Sequence, residues 1–349
     1  MEDAARPADE PGQPLQRGAQ GRGRLQAHPP GAPAELHDQA QPRDDRRDQQ
    51  DLFLDPAALQ LHLTLTGVPP VTGAGATGAL PMLNDPARIE DLILYQRTHH
   101  DFCERLLAHY YTEVLQPGDT FIDVGARVGH HLFPMARRVG PSGRGIGIEA
   151  SPGVAAALVE RIEKDPAFRD TLKIVEGAAA DREGHATFYV RENFSGWSSL
   201  YSDHVHPGEE GEEKPVDVAF VQLDQIARDE GLTSCAFIKL DIEHAEFPAL
   251  RGGRQLLKDL RPVICFENTP RHAAQLNGYT MAEFSGFFED LDYTLYDIFL
   301  NEVTRRRMAY DKFLPSYYLA CPAERGELAP EFIAGAEAVA QEFMDKAEA

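Results

Sequence analysis

The sequence predicts an α/β fold built on a parallel sheet with helices on both faces. From about residue 119 onward, short apolar runs alternate with amphipathic helical patterns. Strand–helix–strand succession of this kind forms parallel sheets, because each crossover helix packs back onto a face of the sheet. The short strand pattern 121–124 contains an acid at 123, and the chain then passes through a turn with glycines at 125 and 129 into a helical pattern, which is typical of nucleotide-binding sheets.

The predicted elements follow in order along the chain. A helical pattern from 86 to 114 ends at Pro117-Gly118, and a final amphipathic pattern covers 330–346. Strands are predicted at 119–124, 144–149, 172–179, 185–191, 216–222, 235–241, 261–267, 291–299 and 316–321. Helices are predicted at 129–139, 152–164, 246–258 and 281–290.

The composition divides the chain into four regions. Residues 1–50 are rich in Pro, Gly, Gln, Arg and Asp and have almost no aliphatic side chains. Such a segment cannot bury enough apolar surface to offset the entropy of ordering, so we expect a disordered tail. Residues 51–115 are predicted to form a strand and a helical lead-in, residues 116–325 the main domain, and residues 326–349 a C-terminal helix.

Charge and cysteine content exclude several classes of protein. The 349 residues carry a formal net charge of −22, which opposes binding to nucleic acid and to anionic membrane surfaces. The four cysteines form no C-x-x-C pair, which argues against a zinc site and against a disulfide framework. No apolar stretch approaches the length of a membrane span, and the N-terminus lacks the apolar core of a signal peptide. We therefore expect a cytoplasmic protein.

The glycine turn supplies the first candidate cofactor-binding residues: Asp123, Gly125, Ala126, Arg127 and Gly129. Ligands of doubly wound sheets lie outside the carboxyl ends of the strands. A dinucleotide fingerprint requires a glycine where Arg127 stands, so that the backbone can approach the pyrophosphate. A cofactor without a pyrophosphate, such as S-adenosylmethionine, has less need of that glycine, and its carboxylate can pair with an arginine. Glycines that serve only a tight turn are the alternative.

Two further strand ends add candidate cofactor contacts. Glu149, followed by Ala150, closes the second strand about 20 residues beyond the turn, the spacing at which an acid meets ribose hydroxyls. Small residues up to Ala180 leave room for a flat base, and Asp181 is placed to accept a hydrogen bond from an adenine amino group. The alternatives are a surface acid at 149 and a solvated turn at 181.

Charged residues also gather at the end of the predicted strand 235–241. Lys239 and Asp241 share one face because strand side chains alternate, and such charges are costly in a buried strand unless they are paired or functional. His244 follows at the start of the next helix, and Glu267 closes a further strand at the same edge. The alternatives are a buried pair that only fixes strand to helix, and a metal site with Asp241 and Glu267 as ligands.

Taken together, these sequence motifs resemble those of the FkbM family of S-adenosylmethionine-dependent methyltransferases. The resemblance covers roughly residues 88–300, and the order of the motifs carries more weight than any single motif. The matching phrases lie at 117–126, 147–152, 222–224, 237–246, 250–253 and 261–267. Two positions depart from the family pattern: Arg127 stands where the family usually has asparagine, and His244 where it usually has glycine.

The resemblance implies a class I methyltransferase fold, which is Rossmann-like: a seven-stranded, mostly parallel sheet whose last strand runs antiparallel. Residues 116–325 would then form the catalytic domain. It also implies S-adenosyl-L-methionine as cofactor and methyl transfer to a hydroxyl of a sugar, a polyketide or another secondary metabolite, so that the partner is a small-molecule or glycan acceptor. Asp241 is a candidate cofactor contact as well as a candidate catalytic residue. No resident metal is expected.

The expected mechanism is an in-line displacement aligned by the enzyme, with a base in reach of the acceptor hydroxyl. Asp241 is the first candidate for that base and His244 the second, because the pKa of histidine suits neutral pH. Glu267 is expected to orient the acceptor, and Lys239 to keep Asp241 ionised. Two other functions stay open: a nicotinamide-dependent oxidoreductase, disfavoured by Arg127, and a catalytically inactive methyltransferase-like binding protein, disfavoured by the intact acids.

Overall fold

The computed structural model describes residues 100–191, 198–202, 213–311, 314–325 and 330–347. The predicted tail over 1–50 and the lead-in up to residue 99 lie outside the described residues. Within the described ranges, every helix is too short or too polar to cross a membrane.

A seven-stranded sheet organises the described chain. In spatial order its strands are β3 (Leu172–Glu176), β2 (Arg144–Glu149), β1 (Thr120–Val124), β7 (Phe237–Leu240), β8 (Val263–Glu267), β10 (Tyr317–Pro322) and β9 (Tyr293–Asp297). The paired strands from β3 to β8 run parallel, whereas β10 is antiparallel to both β8 and β9. The predicted seven-stranded, mostly parallel sheet with an antiparallel last strand is confirmed.

Helices cover both faces of this sheet. They are α1 (His100–Val114), α2 (Leu132–Val139), α3 (Pro152–Lys164), α4 (Leu223–Asp229), α5 (Glu246–Arg251), α6 (Arg254–Leu260), α7 (Pro270–Asn277), α8 (Met281–Asp290), α9 (Arg305–Tyr310) and α10 (Pro330–Ala347). Because strand side chains alternate, Phe121 and Phe237 enter a core with α1 to α3, and Ile122 and Ile238 enter a second core with α5 to α8. Each such buried side chain contributes about 1.5–3 kcal/mol.

A smaller sheet follows β3 in the chain. It contains β4 (Ala178–Ala179), β6 (Glu213–Val221) and β5 (His185–Arg191), in that spatial order. The single strand predicted over 172–179 is therefore wrong: the chain leaves β3 at Gly177, whose φ is +150°. A side chain there would meet Val221 at 2.6 Å, so only glycine lets the chain pass from one sheet to the other.

The helix predicted over 246–258 is also wrong, since α5 and α6 are separate helices. Gly252 divides them, and a Cβ at this residue would lie 2.0 Å from the carbonyl oxygen of Ala180. Close packing of this turn on the chain after β4 thus interrupts the helical pattern. The helices α4, α7 and α9 are missing from the sequence prediction because six to eight residues give too little periodicity to recognise.

The first and last described helices pack against each other on one face of the sheet. Gly335 of α10 lies against the ring of His109 in α1, where a Cβ would approach the ring to 2.3 Å. Tyr110 of α1 donates a hydrogen bond of 2.5 Å to the carbonyl of Ile298, just after β9. The lead-in helix and the C-terminal helix therefore share a core with the main sheet.

Candidate active site

The carboxyl ends of β1, β7 and β8 meet at one side of the sheet, here called the carboxyl edge. The register places Asp123 beside Lys239, and Lys239 beside Cys265. The Nζ atom of Lys239 lies 3.5 Å from Oδ1 of Asp123 and 3.5 Å from Oδ2 of Asp241. It also donates a 3.2 Å hydrogen bond to the carbonyl of Gly125. One lysine thus joins the glycine turn to both aspartates.

Burial and charge act in opposite directions on this lysine. Burial lowers the pKa of Lys239, but the carboxylates of Asp241 and Asp123 raise it, and the net result is a pKa above the ordinary value. Burial raises the pKa of Asp123, and Lys239 opposes that rise. Because the positive charge of Lys239 lowers the pKa of Asp123, it favours the ionised form of that buried carboxyl.

The two aspartates differ in their access to solvent. The Asp123 side chain is 1% exposed, whereas that of Asp241 is 26% exposed. Neither oxygen of Asp123 has a hydrogen-bond partner within the described residues. Asp241 is therefore the more accessible of the two carboxylates.

Glu267, at the end of β8, completes the acidic group. Its carboxyl is hydrogen-bonded to that of Asp241. Burial raises the pKa of Glu267 well above its usual range, and the negative charge of Asp241 raises it further. Burial and the neighbouring Asp241 carboxylate thus both favour the protonated form of Glu267.

The glycine turn between β1 and α2 is fixed by backbone contacts. The amides of Gly125 and Ala126 both donate to the carbonyl of Ile148, at 2.9 and 3.0 Å. Gly125 has a φ of +79°, and a Cβ at this residue would lie 2.1 Å from the carbonyl oxygen of Asp241. At Gly129 a Cβ would overlap the ring of Phe133. Both glycines are required by the packing of the turn itself.

Arg127, one of the two departures from the family pattern, lies in a turn with unusual backbone geometry. Its φ is +48°, a left-handed conformation that asparagine adopts far more readily than arginine. Its amide donates to Oε2 of Glu149 at 2.8 Å, and the amide of Ser151 donates to Oε1 at the same distance. Burial raises the pKa of Glu149, whereas these two hydrogen bonds lower it. Glu149 thus joins the glycine turn to the start of α3.

The remaining cofactor candidates, Ala150, Ala180 and Asp181, directly follow β2 and β4. Asp181 accepts a hydrogen bond from Arg251 at 2.5 Å and lies 3.4 Å from Arg182. Ala180 is buried, and its amide donates to Val221. Ala150 is partly exposed directly after β2. The structure brings the Asp181 carboxylate to the end of α5, and this contact with Arg251 is not foreseen from the sequence.

The turn from β7 into α5 carries unusual backbone geometry. Glu243 and His244 have φ values of +53° and +78°, so two successive residues other than glycine adopt the left-handed conformation. The usual family glycine at 244 fits this conformation without strain. Asn277 supports the turn by donating to the carbonyl of His244 at 2.8 Å, and Thr269 lies 3.0 Å from its Nδ1 atom.

Glu246 lies close to the same strand end as Lys239 and Asp241, although it is not one of the candidate cofactor-binding or catalytic residues. It begins α5, is 1% exposed, and accepts a hydrogen bond from the Ile242 amide at 2.9 Å. Its second oxygen has no partner within the described residues. Burial raises the pKa of Glu246 to about 8, and the nearby acids Asp241 and Glu243 add to the effect. The family phrase at 237–246 contains this residue, so the signal was present.

Helix α1 adds a residue to the carboxyl edge that no local pattern could reveal. Glu104 accepts a hydrogen bond from the Tyr317 hydroxyl at 2.9 Å and contacts Nε2 of His131 at 2.6 Å. Tyr317 is the register partner of Glu267 in the sheet. Glu104 and Tyr317 are 213 residues apart in the chain, and only the fold brings them together.

Comparison with known families identifies this chain. The family model for the methyltransferase FkbM domain matches residues 123–296. The chain belongs to the FkbM methyltransferase family. The matched FkbM segment begins at Asp123 and ends within β9, so that α1, β10 and α10 lie outside it.

Other known proteins resemble parts of this FkbM chain. Protein-L-isoaspartate O-methyltransferase of Triticum aestivum is 33% identical over 117 residues, which are 33% of this chain and 45% of that protein. Protein-L-isoaspartate O-methyltransferase 1 of Arabidopsis thaliana is 30% identical over 117 residues, with the same two shares. The chain therefore spans less than half the length of the curated relatives that it matches.

Two solved structures are similar over a larger share of the chain. The FkbM methyltransferase of Methylobacillus flagellatus is 15% identical with a TM-score of 0.36, and the match covers 67% of this chain and 54% of that one. The O-methyltransferase TomG of Streptomyces achromogenes, described in complex with SAM, is 15% identical with a TM-score of 0.36, over 63% of this chain and 79% of that one.

Proposed function

We propose that this protein binds S-adenosyl-L-methionine at the carboxyl edge and methylates a hydroxyl group of a small-molecule or glycan acceptor. The observation that carries the proposal is the position of Asp241. This carboxylate is partly exposed, lies 3.5 Å from a buried lysine, and is hydrogen-bonded to a second carboxyl. Membership of the FkbM methyltransferase family supports the reaction class.

The residues at the carboxyl edge fit a cationic cofactor. S-adenosylmethionine carries an ammonium and a sulfonium group, and Asp123 offers two buried oxygens without hydrogen-bond partners within the described residues. Glu149 uses one lone pair of each oxygen for backbone amides, which leaves a second pair on each for a ligand. The further proposed contacts are Gly125, Ala126, Arg127, Gly129, Ala150, Ala180, Asp181 and Asp241.

The bound cofactor supplies an activated methyl group, so the protein's own task is to align the acceptor and remove its proton. Asp241 is the proposed base, because it is the exposed member of the group and lies 3.5 Å from the Lys239 ammonium. Glu267, in its protonated form, donates a hydrogen bond and orients Asp241 and the acceptor. His244 remains the second candidate for the base.

The electrostatics of the edge favour a hydroxyl over a carboxylate as the acceptor. The wheat and Arabidopsis relatives are named as isoaspartate methyltransferases, which suggests a carboxylate acceptor as an alternative. A carboxylate would enter beside Asp241 and Asp123 and be repelled by both. A hydroxyl acceptor instead needs a nearby base, which the edge provides. A nicotinamide cofactor would bring an anionic pyrophosphate to the same acids, and this disfavours the oxidoreductase function.

Calorimetric titration and isotope transfer test the proposal together. We expect the full chain to bind S-adenosylmethionine and not a nicotinamide dinucleotide. With a deuterated-methyl cofactor and a metabolite extract, mass spectrometry should then find a labelled product, whose structure identifies the acceptor. The absence of binding heat at millimolar cofactor would contradict the proposal, and binding without methyl transfer to any extract would favour the inactive binding protein.

The Asp241→Asn variant tests the role of the base. It should lower turnover by about 10²–10⁴-fold, the usual contribution of a general base, and the loss of cofactor affinity should be small beside the loss of turnover, although Asp241 is also a proposed cofactor contact. Asp259→Asn is the matched control, because Asp259 is exposed on α6 and contacts Gln255. Unchanged turnover in Asp241→Asn would remove this residue from the catalytic role.

A further inference from the structure

The side chains of Glu104, His130 and His131 form a compact group beside the glycine turn, here called the Glu104 cluster. Each offers one ligand atom, and the three atoms all lie within 4.8 Å of one another. Oε2 of Glu104 is 2.6 Å from Nε2 of His131 and 3.8 Å from Nε2 of His130. The two histidine rings are nearly perpendicular, with centroids 4.8 Å apart. Adjacent histidines thus direct their outer nitrogens toward one carboxylate oxygen.

The composition of the Glu104 cluster suits one kind of ion. Two imidazole nitrogens and one carboxylate oxygen are the ligand set of open zinc sites, in which solvent takes the fourth position. Ligand atoms around a tetrahedral zinc lie about 3.4 Å apart, given bonds of about 2.1 Å. The distances of 2.6 and 3.8 Å at Glu104 bracket this value, and the two histidine nitrogens lie within 4.8 Å of each other, so side-chain rotations can bring the three ligand atoms to zinc distance.

The surroundings of the Glu104 cluster hold the carboxylate in place. The Tyr317 hydroxyl donates to Oε1 of Glu104 at 2.9 Å, which leaves Oε2 to face the histidines. Such outer hydrogen bonds orient the ligands of metal sites. His131 is 6% exposed, its Nε2 atom faces the Glu104 carboxylate, and its Nδ1 atom has no hydrogen-bond partner within the described residues. His130 is 73% exposed and opens the group to solvent.

We propose that the Glu104 cluster binds one zinc-like divalent transition-metal ion. The ion would join α1, which lies outside the matched FkbM segment, to the turn that begins α2. It would hold the lead-in helix over the carboxyl edge, in addition to the hydrogen bonds of Glu104. Its three ligands are separate from the proposed cofactor contacts and from Asp241.

The test uses the untagged full chain after treatment with a chelator and dialysis. Calorimetric titration with zinc chloride should reveal one site per chain, and saturating zinc should raise the Tm because the ion binds the folded state. Millimolar magnesium should not compete, since magnesium prefers oxygen ligands.

Two histidine variants decide whether the Glu104 cluster is the site. His130→Ala removes an exposed ligand but leaves the contact between Glu104 and His131, and it should weaken zinc binding by at least about tenfold. His185→Ala is the matched control, because His185 is exposed and lies 2.8 Å from Asp217. Absence of a zinc site in the unmodified chain, or equal affinity in His130→Ala, would overturn the proposal and leave Glu104 and His131 as a hydrogen-bonded pair only.

Discussion

The two halves of the carboxyl edge are built in different ways. At the ends of β1 and β2, the glycine turn and Glu149 are held by backbone groups: Ile148 accepts from two amides, and Glu149 accepts from two more. At the ends of β7 and β8, ionisable side chains are held mainly by one another, with Lys239 between two aspartates. We call these the backbone half and the charged half.

The difference shows what each half depends on. The backbone half depends on hydrogen bonds to backbone groups and on space for the turn. A side chain that fills this space should therefore lower stability and weaken cofactor binding. The charged half depends on the balance between burial and opposite charge. Removing one charge should therefore lower the free energy of unfolding, and this free energy should depend on pH. The experiments below act on each half separately.

The largest effect on stability is expected from removing the central cation of the charged half. Lys239→Met should lower the free energy of unfolding by about 3–5 kcal/mol, because Asp123 is then buried without an opposite charge. Denaturant unfolding measures the loss.

Lys173→Met is the matched control for that variant. Lys173 pairs with Glu230 at the surface with its side chain 56% exposed, so the change should cost about 0–1 kcal/mol. Adding Asp123→Asn to Lys239→Met should restore part of the lost stability. Equal losses in the Lys239 and Lys173 variants would show that the buried cation does not stabilise the charged half.

A smaller loss is expected from filling the turn of the backbone half. Gly125→Ala combines a φ of +79° with a Cβ 2.1 Å from the carbonyl of Asp241. It should cost about 1–3 kcal/mol and weaken cofactor binding, which thermal unfolding and calorimetry can measure. Gly153→Ala in the first turn of α3 is the control, because no atom lies within 4 Å of its Cβ and no left-handed φ is involved. An unperturbed Gly125→Ala protein would contradict the packing described here.

The subtlest effect is a change in how stability depends on pH. The pKa of Glu246 is about 8 in the folded protein, above the unfolded value near 4.5. Its contribution to stability is therefore fully present below about pH 4.5 and is lost as the pH rises toward 8. In Glu246→Gln, unfolding measurements from pH 5 to 8 should show a smaller decline in stability than in the unmodified chain.

Glu160→Gln is the control for the pH dependence. Lys164 lowers the pKa of the exposed Glu160, so this residue titrates below the tested range and the variant should leave the slope unchanged. Identical slopes in the Glu246→Gln and unmodified proteins would show that the Glu246 carboxyl is already ionised near pH 5.

The fold could be predicted from the sequence where its signals are local. Helix α3 begins after Ser151 with Pro152 at its first position, and α8 begins with a capping box between Thr280 and Glu283. Both helices match their predicted bounds. The breaks at Gly177 and Gly252 were not predictable, because the atoms that demand glycine belong to distant segments such as Val221 and Ala180.

The candidate site, too, could be predicted where its signals are local and not where they depend on tertiary contacts. The acids at strand ends, such as Asp123 and Asp241, follow from strand patterns and their spacing. Their partners do not: Asp181 meets Arg251, and Glu104 meets Tyr317, only because the folded sheet brings these residues together. Contacts of this kind depend on distances in the folded chain, which the periodicity of the sequence does not reveal.

The position of β10 has a consequence for synthesis of the chain. In the sheet β10 lies between β8 and β9, yet it is translated after both. A nascent chain that has just completed β9 therefore has no neighbour for that strand, and β8 presents an unpaired edge of the kind that invites aggregation. The last strand must therefore insert between two strands that have already been synthesised. Ribosome-bound intermediates should remain dependent on chaperones until residues 317–322 have emerged.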